Sequence, residues 1–157
     1  MRQRTKQFLM GEEKINAVLQ SARVGRLGVI TKEMKPYIVP VNFALDANTI
    51  YIHGAAGGLK MESMQINKNV CFEVDEEYGL RMEDPQTQCN VGEKYESVIA
   101  FGTATEITDD EKKAAVLRLF IDKYAPELKN LPMPAPAIKG TAVVGIDIDS
   151  ITGKERK

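Results

Sequence analysis

Apolar side chains recur at helical spacing near the start of the chain. Ile15, Val18, Leu19 and Ala22 fall at i, i+3, i+4 and i+7, which predicts a helix over residues 12–22 with one buried stripe. After Gly25 the period drops to two. Leu27, Val29 and Thr31 alternate with Gly28 and Ile30, and Tyr37, Val39, Val41 and Phe43 alternate with Ile38, Pro40 and Asn42. These runs predict strands over 27–31 and 37–43, joined by a polar turn ending at Pro36. A turn at 46–48 and a strand over 49–53 complete what reads as an antiparallel meander.

The glycine-rich run 54–58 interrupts this pattern, and a short helix is expected over 59–67. Val70, Phe72 and Val74 place a strand at 69–75. Residues 76–94 show no period and predict a long loop, of the kind that is functional or mobile. A strand rich in Val, Ile, Phe and Thr follows over 96–106, in which Gly102 marks a bend or a close backbone approach. Thr108 with Glu111 has the form of a capping box, opening a helix with Leu117, Phe120, Ile121 and Tyr124 on its apolar face. The proline-rich stretch 131–136 is expected to be an extended connector. A strand over 142–148 and a polar tail over 150–157 end the chain. Six strands, mostly neighbours without crossover helices, predict a mainly β fold: a six-stranded antiparallel barrel, closed or half closed, with flanking helices.

Composition narrows the function classes. The 157 residues are expected to form a single domain, 1–157, with 1–10 as an N-terminal tail. Twenty-one basic residues against 22 acidic ones leave a net charge of -1, which gives no electrostatic footprint for nucleic acid. Arg2, Arg4 and Lys6 are too few to change that and are expected to be a solvated terminus. No apolar run is long enough to span a bilayer, and no signal peptide is visible. Two cysteines, Cys71 and Cys89, form no disulfide framework and fit a reducing cytoplasm. With one histidine and no Cys-x-x-Cys, no metal site is expected. Cys71 is expected to be an inert strand residue, and Cys89 lies in the long loop.

Candidate chemistry concentrates between residues 51 and 60. A strand delivers the chain into a glycine-rich turn, and a helix starts there with Lys60 in its first turn. Glycines let backbone amides converge on an anion, and a helix N-terminus adds unsatisfied amides and a positive partial charge. Lysine is at the wrong end of the macrodipole unless an anion sits there. The features together point to a phosphate site, although a flexible glycine turn with a solvated lysine would carry the same residues. The pattern is not a Walker loop, because Met61 follows Lys60. Pro40, within Val39-Pro40-Val41-Asn42, removes a ladder hydrogen bond; an edge strand tolerating proline explains this, as does a backbone edge facing a flat heteroaromatic ring. His53 ends its strand beside the glycine turn, either as a structural hydrogen-bonding residue or in contact with the ligand.

Taken in order, residues 24–28 (VGRLG), 36–43 (PYIVPVNF), 50–55 (IYIHGA), 58–60 (GLK), 70–74 (VCFEV), 95–98 (YESV), 102–104 (GTA) and 151–154 (ITGK) resemble the pyridoxamine phosphate oxidase-like split barrels. Among these the set is most similar to the nitroimidazole-resistance type. The resemblance implies a homodimeric split barrel with flavin mononucleotide (FMN) in a cleft at the subunit interface. It implies that Val39, Pro40, Val41 and Asn42 line the flavin ring through backbone groups. It implies that His53, Gly54, Ala55, Gly58, Leu59 and Lys60 hold the phosphate end, with Tyr95 and Ser97 contributing near the cofactor, from the other subunit. His53 is then the candidate catalytic residue, and electrons pass from reduced nicotinamide, NADH or NADPH, through flavin to a small acceptor such as a nitroaromatic. Lys68 departs from the family pattern, where a proline is expected. The arginines that hold the substrate phosphate in the vitamin B6 oxidases have no counterparts here. Two other classes remain: a flavin- or haem-binding protein without turnover, and an interaction protein with an empty cleft.

Overall fold

The computed structural model describes residues 8–82 and 87–157, without the side chain of Cys89. The expectation of a solvated terminus at Arg2, Arg4 and Lys6 falls outside that description. The elements are α1 (Glu12–Ser21), β1 (Gly25–Ile30), β2 (Pro36–Val41), β3 (Phe43–Asp46), β4 (Thr49–Gly54), α2 (Leu59–Ile66), β5 (Asn69–Arg81), β6 (Gly92–Ile107), α3 (Asp110–Tyr124), α4 (Ala135–Gly140) and β7 (Ala142–Arg156).

All strands belong to one antiparallel sheet in the order β2-β1-β5-β6-β7-β4-β3. The described residues form seven strands, not six, because the expected run over 37–43 divides at Asn42. The division sets the architecture. β2 and β3 lie at opposite ends of the strand order, yet a single residue joins them. Two peptide links reach at most about 7 Å, so the sheet must roll up until its two ends almost meet at Asn42. The expected meander is corrected accordingly: β2 pairs only with β1, and β4 lies between β3 and β7.

Alternation of side chains fills the barrel. Leu27, Phe43, Ile50, Ile52, Phe72, Val74, Val98 and Ile146 are all buried there, with the Phe43 and Phe72 rings edge to face at 4.9 Å. A second cluster lies outside the barrel, where Val116 and Phe120 of α3 cover Ala44, Ile107 and Val143. The first half of β7 is thus buried on both faces, which explains its unbroken run of buried residues from Ala142 to Ile146.

Further expectations are corrected. The described part of residues 76–94 includes a β arm: β5 runs on to Arg81 and β6 begins at Gly92, with a register shift between Glu77 and Leu80 and Gly79 at φ 90°. The arm shows no period because Glu76, Glu77, Tyr78 and Leu80 are all exposed, so neither face is selected for apolar residues. The polar tail 150–157 is strand as far as Arg156, paired along β6, and the supposed N-terminal tail meets it. Met10 N–H donates to the Gly153 carbonyl at 2.9 Å, and Glu155 N–H donates to that of Phe8 at 2.9 Å. Asp109, not Thr108, caps α3, its carboxylate accepting from the Lys112 amide at 2.8 Å. The connector does contain a helix, α4, with Pro136 in the first turn, where a missing N–H costs nothing.

Candidate functional site

β4 and α2 meet at the glycine run, and the turn is shaped by Gly58. Its φ of 100° lies in the region that side chains avoid, and it stands at the N-cap of α2. No side chain caps this helix. The first intrahelical bond of the turn is Glu62 N–H to the Gly58 carbonyl, so the amides ahead of it have no partner within the helix.

Lys60 leans back over this turn. Its Nζ lies 3.5 Å from where a Cβ on Gly54 would be, and among the described residues it makes no ion pair or hydrogen bond. Loss of solvent lowers its pKa. A half-buried ammonium without an ion-pair partner among the described residues, beside amides that have no partner within the helix, has the chemistry of an anion donor set.

His53 projects from the outer face of β4 with part of its ring exposed. Its ring packs edge to face on Phe120 of α3, with centroids 4.3 Å apart. Burial against this neighbour, and secondarily the Lys60 charge, lowers its pKa below the ordinary 6.5. The imidazole is therefore neutral at neutral pH, with one nitrogen able to accept and the other to donate.

His53 and Asn42 share a cleft of about 400 Å³ between the barrel and α3. Phe120 and Tyr124 form one wall, Met133 and Thr141 of the connector another, and Arg23 stands at the rim. Tyr124 ties the cleft to the barrel seam. Its hydroxyl accepts from Phe43 N–H at 3.0 Å and lies 2.8 Å from both the Arg23 and Phe43 carbonyls, to which its single proton is directed. Asn42 Nδ2 donates to the same Arg23 carbonyl at 3.0 Å.

The structure thus brings together Asn42, His53, Gly54, Ala55, Gly58, Leu59 and Lys60. Val39, Pro40 and Val41 lie on β2, a terminal strand of the order, so Pro40 sits where proline is tolerated and one backbone edge faces no strand of this chain. The Val41 side chain is in the core, leaving only its backbone for a ligand. Tyr95 and Ser97 are not part of the assembly within one chain. His53 pairs with Val143 and Val143 with Ile107, whereas Tyr95 lies twelve residues further along β6, about 40 Å of strand path. Sequence reasoning missed Arg23 as a site residue and took Phe120 and Tyr124 as core alone. No group of three or more potential metal ligands is found among the described residues, and no described helix is long and apolar enough to cross a membrane.

A larger concavity of about 560 Å³ contains none of the predicted site residues. It lies on the outer sheet face between Ile38, Cys71, Phe101 and Asp149. Ile38, Ile99 and Phe101 are exposed on the strands around it. Burial, and secondarily Glu73, raises the pKa of the free Cys71 thiol, as expected of an unreactive strand cysteine.

A family model described as pyridoxamine 5'-phosphate oxidase matches residues 11–155. Among curated proteins none matches the chain. Among solved structures, the chain is similar to a candidate 5-nitroimidazole antibiotic resistance protein from Bacteroides thetaiotaomicron, with 26% identity, TM-score 0.84, and coverage of 93% of this chain and 85% of the other. It is similar to the flavocytochrome Anf3 of Azotobacter vinelandii, with 26% identity, TM-score 0.85, and coverage of 99% and 75%. It is also similar to a candidate pyridoxamine 5'-phosphate oxidase of Corynebacterium glutamicum, with 27% identity, TM-score 0.57, and coverage of 94% and 90%.

Proposed function

Because the chain belongs to the pyridoxamine 5'-phosphate oxidase family, we propose that it is an FMN-dependent oxidoreductase passing electrons from a reduced nicotinamide to a small acceptor such as a nitroaromatic. The observation that carries this reading is the unpaired, partly desolvated Lys60 beside the uncapped start of α2. These groups fit a terminal phosphate, which distinguishes a mononucleotide from a ligand lacking one. When bound, flavin supplies reversible two-electron chemistry that no side chain of this protein offers.

The residues have separate tasks. Gly58, Leu59 and Lys60 hold the phosphate, with Gly54 and Ala55 keeping the turn open. The free edge of β2 at Val39–Val41 and the amide of Asn42 offer backbone donors and acceptors to the polar rim of a flat ring. His53, neutral and reaching the cleft, holds or delivers a proton at the acceptor. Phe120 and Met133 exclude water from the cleft. Tyr95 and Ser97, remote within one chain, reach this site from a second copy, which is the basis for proposing a homodimer. The exposed Ile38, Ile99 and Phe101 are a suitable apolar face for it.

The test is anaerobic mixing of FMN-loaded protein with NADH or NADPH, then with a nitroaromatic. Bleaching of the flavin band followed by its return on addition of acceptor is expected. Return in a His53→Gln variant at the wild-type rate would remove His53 from proton delivery, and no bleaching with either nicotinamide would remove the proposed donor.

A second reading is favoured by one observation. The only histidine is neutral, partly exposed and on a cleft, which suits an axial haem ligand, and one similar structure is a flavocytochrome. A Soret band in place of the flavin spectrum would favour that reading.

A further inference from the structure

The cleft beside His53 carries a charge that the flavin reading leaves unused. Arg23 stands at the rim and makes no ion pair among the described residues. Its backbone is fixed, since its carbonyl accepts from Asn42 Nδ2 and lies in reach of the Tyr124 hydroxyl. Its guanidinium is 5.1 Å from the centroid of the Tyr124 ring. Stacking on an aromatic face holds the group in place while leaving its fork of N–H donors free.

The surroundings offer this cation no counter-charge among the cleft's lining residues. No carboxylate lines the cleft among the described residues. Lys123 approaches from behind, donating to the Leu19 carbonyl at 3.1 Å with its Nζ 3.8 Å from the Phe43 ring centroid. The ring favours the charged amine, yet burial and then the Arg23 charge prevail and lower its pKa to about 8. Two like charges thus act on each other, and neither has an ion-pair partner among the described residues. Leu117, Phe120, Ile121 and Met133 give the cleft an apolar body, Asn42, His53 and Thr141 add uncharged polar groups, and the volume of about 400 Å³ accommodates one small ring system. A largely apolar cleft with one cation, able to bind in bidentate fashion, among its lining residues matches a flat molecule with a carboxylate at one end.

Resting on the proposed function, we propose that this cleft seats the electron acceptor, and that Arg23 selects an aromatic acid over its neutral counterpart. The test is calorimetric binding of two probes of equal shape, 4-nitrobenzoate and 4-nitrobenzamide, to the full chain with and without FMN. The wild type is expected to prefer the carboxylate by about tenfold, the effect of one charge-assisted contact at a partly exposed site. Arg23→Gln should bring the ratio to about one, leaving the amide affinity and flavin content as they were, and Arg23→Lys should keep part of the preference. Equal binding of the two probes by the wild type, binding of neither, or a preference that survives Arg23→Gln would overturn the assignment. The ratio is read by binding, so its loss in a protein that holds FMN defeats only this inference. A protein that holds no FMN defeats the proposed function instead.

Discussion

Lys60 is the residue on which cofactor binding turns. Among the described residues it has no carboxylate partner, so removing it breaks no ion pair. Lys60→Ala should weaken FMN binding by about 1.5–3 kcal/mol, the range for a charge-assisted hydrogen bond, read by titration of flavin fluorescence. Unchanged affinity would place the phosphate elsewhere. His53 gives a pH signature. Its pKa in the folded protein lies below 6.5, so beneath that pH the unfolded chain binds a proton that the folded chain resists. Stability should therefore fall as pH drops from 6.5 through the folded value, and hold above it. Urea midpoints across this window should slope less in His53→Gln than in the wild type; equal slopes would show that His53 is not the source. Both residues were legible in the sequence because they are seven positions apart around one glycine turn. Arg23 and Tyr124 were not, because they meet across about a hundred positions and only through the roll of the sheet.

Among the elements, β6 shows how a single residue bends a strand. The expectation at Gly102 was a bend or a close approach, and the structure has both. The β6–β7 register shifts between Phe101 and Gly102, and a Cβ there would lie 2.4 Å from the Asp147 carbonyl oxygen. A backbone atom in a ladder cannot yield as a flexible side chain does. Gly102→Ala should cost about 2–3 kcal/mol, near the upper end for overpacking, measured by chemical denaturation, and a loss under 0.5 kcal/mol would contradict the packing described. Elements with one buried face were legible: α1, β1 and β5 up to Asp75 carry their period because the barrel selects it. The β arm beyond Asp75 was not, since its exposed faces select no period. The polar end of β7 was missed for a related reason. Its partners, β6 and residues 8–10, satisfy its backbone without requiring apolar side chains.

At the scale of the molecule, the seam at Asn42 joins fold to function. Closing the sheet places the end of β2, the start of β3 and the Tyr124 hydroxyl at one point, and the cleft opens there. Alternation alone predicted a barrel but not its seam, because Val41 and Phe43 keep the same inward face on both sides of the break. The proposal that Tyr95 and Ser97 act at the site of a second copy requires a dimer, with a solution mass of twice 17.4 kDa by light scattering. A monomer at micromolar concentration would leave those two residues without a role at the site.

The central claim is that the turn at Gly58–Lys60 holds a flavin phosphate. The most direct measurement is the visible spectrum of the purified protein before and after loading with FMN and dialysis, together with its melting temperature. The account predicts a retained flavin band at one per chain and a rise in melting temperature that grows with FMN concentration. A colourless protein whose melting temperature ignores FMN would contradict it.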